Sequence, residues 1–151
     1  EINGTYFTLY DNLTFIGTSP QCNFFSLDFT AKELKEQLPL VKTINFVAPC
    51  YSTLIVNMRG SCINLNPYQF YWNGLNISKE QASHILWNCS ETQIIFGQDT
   101  EIKGSLLAPQ ACLWGGKSCC GTVLVKDLVG RLSAYLPTFQ GELDSIHKKG
   151  A

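Results

Sequence analysis

The sequence predicts a mainly β chain wound as a short right-handed β-helix (a solenoid), with one flanking α-helix around residues 30–38. Three observations lead there. From Thr43 onward the apolar bursts are brief and turn chemistry separates them. No helical period long enough for a βαβ crossover lies between them, so parallel pairing can come only from coiling. One phrase also occurs twice, Gly104-Ser105-Leu106-Leu107-Ala108 and Gly121-Thr122-Val123-Leu124-Val125, with a 17-residue offset.

A rung of three short strands and three turns takes about 17 to 20 residues. Stacked at that offset, Leu106 lies over Val123 and Ala108 over Val125 inside the coil, while Leu107 lies over Leu124 on the outer face. An apolar outer face needs cover, and the helix is the segment available to give it. The competing reading is a β-sandwich of antiparallel hairpins, whose strands are also short and evenly spaced.

The elements follow in order. Residues 1–17 read as two strands, with Tyr6, Thr8 and Tyr10 on one face and a turn at Asp11-Asn12. Thr30-Ala31-Lys32-Glu33 reads as a capping box, and Ala31, Leu34 and Leu38 recur at helical spacing. Pro39 ends that run, and no second helix is expected. Strand bursts then fall at 44–47, 54–56, 68–72, 85–87, 94–96, 106–108 and 123–125. Turns fall at Arg59-Gly60-Ser61, Asn73-Gly74, Gly97-Gln98-Asp99 and Gly115-Gly116.

The bulk properties bound the function. At 151 residues one domain is expected, and 45% apolar against 15% charged residues argues for a packed core. A net charge of −1 gives no electrostatic basis for binding nucleic acid or an anionic membrane, and no apolar run is long enough to insert in a bilayer. The chain starts on a strand without a leader, as a processed product or excised domain would. Seven cysteines accompany four N-x-S/T sequons. That combination fits a secreted glycoprotein with disulfides drawn from Cys22, Cys50, Cys62, Cys89, Cys112, Cys119 and Cys120. An odd count leaves at least one thiol unpaired or paired elsewhere. Asn3, Asn12 and Asn76 are the expected glycan acceptors, whereas the Asn88 amide is expected to bond to backbone at a strand-end turn.

No catalytic cluster is legible. His84 and His147 are far apart in sequence, and no nucleophile-elbow, HExxH or P-loop pattern occurs. Asp99, Glu101 and Lys103 alternate on one strand face and read as a solvated edge. Cys112, Cys119 and Cys120 lack the paired spacing of a metal site and read instead as staples of the Gly115-Gly116 turn. No enzyme activity, metal or cofactor is expected. The most aromatic stretch is Pro67 to Gly74. There Tyr68, Phe70 and Trp72 should face the core, and Gln69, Tyr71 and Asn73 the solvent. Tyr71 with its amide neighbours suits sugar stacking and hydrogen bonding, and Trp114 is a second exposed ring.

Several of these motifs together resemble a known family. Ile85-Leu86-Trp87-Asn88, then Lys103-Gly104-Ser105-Leu106-Leu107-Ala108-Pro109, the Gly115-Gly116 turn and the Gly121 rung resemble the choice-of-anchor A domain. Tyr135-Leu136-Pro137-Thr138-Phe139 is similar to that family's closing segment, and the helix to its single helix. The likeness spans about 25–143. Departures are Cys89 at a usually apolar position, the cysteines of the turn region and the missing first rungs. The resemblance implies one N-terminally incomplete β-helical domain over 1–143 and a disordered tail over 144–151. It also implies an extracellular or cell-surface adhesion module that binds polysaccharide or matrix protein. Other readings are a structural spacer of a larger extracellular protein and an ice-binding-like solenoid. The ligand and the oligomeric state stay open.

Overall fold

The structure is a computed structural model that describes residues 1–135 and 139–141. The expected tail over 144–151, with His147, and the Leu136-Pro137-Thr138 step lie outside the described residues.

The chain is mainly β and β-helix-like. A hairpin of β1 (Thr5–Leu9) and β2 (Asn12–Ile16) leads to β3 (Cys22–Asp28), then α1 (Lys32–Gln37) and a 3₁₀ turn at Leu38–Leu40. Next come β4 (Thr43–Val47), β5 (Thr53–Arg59) and β6 (Cys62–Asn64), and then β7 (Gln69–Trp72) and β8 (Leu75–Asn76). After α2 (Lys79–Ala82) follow β9 (Ile85–Asn88), β10 (Ile94–Gln98), β11 (Glu101–Lys103) and β12 (Ser105–Gly115). The series ends with β13 (Ser118–Cys120), β14 (Val123–Val129) and β15 (Ser133–Tyr135).

Parallel pairing dominates; among the described residues β1 with β2 and β7 with β8 are the antiparallel pairs. Strand β4 lies between β2 and β7 in one sheet, and β13 between β11 and β15 in another. In the largest sheet β3, β5, β9 and the first half of β12 pair in sequence, and β6, β10 and the second half of β12 pair alongside. Strand β14 runs the length of β12 and pairs with both halves. The sandwich of antiparallel hairpins is thereby excluded. The repeat has the expected register, with Leu106 opposite Val123, Leu107 opposite Leu124 and Ala108 opposite Val125.

That register builds columns of like side chains. Phe15, Phe46 and Trp72 are successive inward neighbours on β2, β4 and β7. Phe25, Val56, Trp87 and Leu106 form the inward column of the large sheet. Phe15 and Phe46 stack with centroids 5.2 Å apart, and Trp87 meets Phe46 at 5.9 Å. Both indoles are satisfied: Trp72 Nε1 donates to the Ala48 carbonyl at 3.1 Å and Trp87 Nε1 to that of Lys103 at 2.8 Å. Burying polar N–H groups with partners avoids the 1–3 kcal/mol or so that an orphaned group costs. Between Met58, Phe70, Trp87 and Ile102 the interior leaves a cavity of about 40 Å³, far below the size of an organic ligand site.

The helices depart from expectation. Thr30 does not cap α1, because its hydroxyl and its N–H both donate to Asp28 Oδ1, at 2.5 and 2.8 Å. This Asx turn moves the cap to Ala31, which has no side-chain acceptor, so the expected capping box is absent. Pro39 does end the helix, through the 3₁₀ turn. The Leu34 and Leu38 side chains join the interior core. The helix therefore packs into the core and does not cover Leu107 and Leu124; Leu124 is 53% exposed. A second, unexpected helix is α2. It starts on a true capping box, with Ser78 Oγ accepting from Gln81 N–H and Gln81 Oε1 from Ser78 N–H.

Candidate functional site

The cysteines do not staple the fold. All seven are free in the structure, which overturns the expected disulfides among Cys22, Cys50, Cys62, Cys89, Cys112, Cys119 and Cys120. Register gives one reason. Cys62 and Cys112 both stand opposite Ile94, on either side of β10. Two strand spacings put their Cα atoms about 9.6 Å apart, beyond disulfide reach. Cys89 and Cys119 are fully buried and pack as small apolar side chains. Burial pushes both thiols up to about 12; Thr92 opposes this slightly at Cys89, and Cys120 adds to it at Cys119. Among the described residues no group of three or more His, Cys, Asp or Glu is gathered to hold a metal ion.

The sequon asparagines differ in availability. Asn3 behaves as a strand mimic: Nδ2 donates to Cys22 O at 3.1 Å and Oδ1 accepts from Phe24 N–H at 2.7 Å. Asn12 Nδ2 donates to Asp11 Oδ1, and Asn76 is exposed on β8. The Asn88 amide donates to the Asn57 side chain at 2.8 Å, not to backbone as expected, because register puts Asn57 directly opposite.

The four anticipated ligand residues do not form one surface. Gln69 and Tyr71 point outward from β7 while Phe70 and Trp72 are buried, as the alternation predicts. Tyr71 Oη donates to Gln69 Oε1 at 2.9 Å, and an open groove beside them is lined by Asn76, Glu101 and Lys103. Asn73 has left the strand at φ +50°, and both atoms of its carboxamide are engaged by the backbone of Ala48. Trp114 lies on β12, in a different sheet from β7. His84 sits half-buried against Tyr51, with centroids 6.1 Å apart.

What Trp114 meets is Phe96. The two are register partners on β10 and β12, with centroids 6.4 Å apart and planes 33° from parallel. Val129 follows Trp114 in the same outward column, and Ile94 with Cys112 forms the next. Ile63, Ile95 and Leu113 are buried on the inner side beneath them. Trp114 is 47% exposed, Val129 39% and Ile94 38%. A groove beside them is lined by Gln93, Pro109, Gln110, Lys126 and Asp127. Sequence reasoning missed Phe96, because the 17-residue offset carried back from Trp114 lands on Gly97, whereas the register between β10 and β12 is one residue longer. Rings of this kind stack on apolar faces, and the amides beside them can donate and accept.

Neither curated proteins nor solved structures give a match to the chain. A family model does, over residues 2–134, and its description is "Putative Ice-binding-like adhesive domain". The adhesive character agrees with the anticipated family class, although the match is not to choice-of-anchor A itself. The chain belongs to the ice-binding-like adhesive domain family.

Proposed function

We propose that this chain is a non-catalytic adhesion module of an extracellular or cell-surface protein, and that it holds polysaccharide or matrix protein on the Phe96–Trp114 face. The observation that carries this reading is the outward pair of exposed Trp114 and half-buried Phe96 on an internally packed sheet, next to the Ile94–Cys112 column whose groove holds Gln93 and Gln110. Stacking supplies contact area and the amides supply direction, which is what a repeating sugar polymer needs. The Tyr71 groove is the weaker choice. Its hydroxyl is already paired with Gln69, and a glycan on Asn76 at its rim would occlude it.

The parallel rungs are read as a short right-handed solenoid, since parallel crossovers take that hand in nearly all sheets. Its WN…GSLLAP phrase supports kinship with choice-of-anchor A domains within the adhesive class. The family description also suggests ice as a ligand. The outward column Ser26, Asn57, Asn88, Leu107 carries no run of threonines, which weighs against that reading. Retention on cellulose, chitin and collagen is the test, with Trp114→Ala beside wild type. Retention that drops about tenfold or more supports the face, as loss of one stacked ring predicts. Retention unchanged in Trp114→Ala rules out this site, and no retention on any matrix removes the proposed ligand classes. Thermal hysteresis in the wild type would favour ice.

A further inference from the structure

The two ends of the coil are finished differently. At the start, β1 pairs antiparallel along β2. Beside it the backbone N–H groups of Asn3 and Gly4 donate to Phe24 O, and the Asn3 side chain meets Cys22 O and Phe24 N–H. Those contacts cover the edge of β3. Among the described residues the last rung has no such cover: β14 pairs with β12 alone, so its other edge presents unpaired backbone groups. Leu124, Leu128 and Val129 on it are 53%, 47% and 39% exposed. An open apolar edge is a template for another strand.

We propose that this edge docks a second copy of the chain, tail to tail about a two-fold axis. The sequence of β14, Val123-Leu-Val-Lys-Asp-Leu-Val129, is complementary to its own reverse. Antiparallel pairing centred between Lys126 and Asp127 sets Lys126 opposite Asp127 of the second copy, twice. It sets Val125 opposite Leu128, both inward by their register with Ala108 and Leu113, and Leu124 opposite Val129, both outward by register with Leu107 and Trp114. Every opposed pair thus shares a face, as antiparallel strands require. The centre of this pairing is also where β14 turns the corner of the coil, opposite the irregular step of β12 between Ala108 and Cys112. A two-fold through that corner maps the bend onto itself. Both copies use the same edge about a two-fold axis, so that contact closes at two copies and does not propagate into a fibre.

Charge reversal tests the register directly. Wild type should sediment at twice 16.8 kDa over the micromolar to millimolar range, and Lys126→Asp and Asp127→Lys should each sediment at 16.8 kDa. Each single variant opposes like charges at both pairs. In an equal mixture, Lys126→Asp brings two adjacent carboxylates to the strand centre and Asp127→Lys brings two adjacent ammonium groups. Both pairs are then again of opposite charge, and the doubled mass should return. That recovery also shows that both variants fold. A monomeric wild type, its edge filled by some other segment or left open, overturns the proposal. A dimer indifferent to both reversals, or a mixture that stays monomeric while circular dichroism shows both variants folded, overturns it equally. Matrix retention is a separate readout, so loss of the adhesion reading leaves this one standing.

Discussion

The carboxamide of Asn73 holds Ala48 by both of its backbone groups, accepting from its N–H at 3.1 Å and donating to its carbonyl at 2.8 Å. Asn73 does this from φ +50°, a conformation that asparagine tolerates better than most residues. Asn73→Ala should lose both bonds and add left-handed strain. We expect about 2–4 kcal/mol of lost stability, two bonds of about 1 kcal/mol each plus about 1–2 for the backbone. Asn73→Gly should lose less, because glycine accepts the φ. Urea unfolding of the two variants checks the order, and equal losses would show that the backbone conformation contributes nothing.

The thiols give a second prediction. Cys50 and Cys62 are exposed, while Cys89 and Cys119 are buried and held protonated up to about 12. Thiolate is the nucleophile, so iodoacetamide near neutral pH should label Cys50 and Cys62 and spare Cys89 and Cys119. Denatured without reductant, the chain should take up seven labels. Uptake short by two or more would mean that pairs of cysteines are oxidised.

The same burial sets a pH dependence. The folded thiols of Cys89 and Cys119 hold their protons above the ordinary thiol range, so the folded state binds more protons than the unfolded state there. Stability is unaffected by these groups below the unfolded thiol pKa. It falls as pH rises from about 9 toward 12. Cys89→Ala should flatten that alkaline decline in a pH series of thermal melts. An unchanged slope would assign the decline to other groups.

Much of the fold was legible because it is set by local pattern. The repeat at Gly104 and Gly121 predicted the register of β12 and β14, and Pro39 marked the end of α1. What failed depended on competition or on distance. Thr30 matched a capping box, but Asp28 lies two residues away and takes its hydroxyl first. Ser78 to Gln81 is a capping box too, yet a four-residue helix leaves no period to detect. The candidate site was half legible. Trp114 was visible as an exposed ring, but its partner Phe96 comes from the rung before, and Asn73 was assigned to solvent because its bond to Ala48 spans 25 residues.

The repeated glycines carry the last prediction, since they show why the phrase recurs. A Cβ on Gly121 would lie 2.7 Å from the carbonyl carbon and oxygen of Gly104 and 2.8 Å from Ser105 N. A Cβ on Gly104 would in turn lie 2.8 Å from Ile85 O. Each glycine therefore lets one rung settle on the backbone of the rung before it. Backbone cannot swing aside as a side chain can, so Gly121→Ala should force the rungs apart and cost about 2–5 kcal/mol, combining overpacking with strain. Gly74 separates the two causes. It has φ +83° but nothing within 4 Å of its would-be Cβ, so Gly74→Ala should cost only the strain, about 1–2 kcal/mol. Chemical denaturation of the two variants measures the gap. If Gly121→Ala proves no worse than Gly74→Ala, close approach of rungs is not what keeps glycine at the head of the phrase.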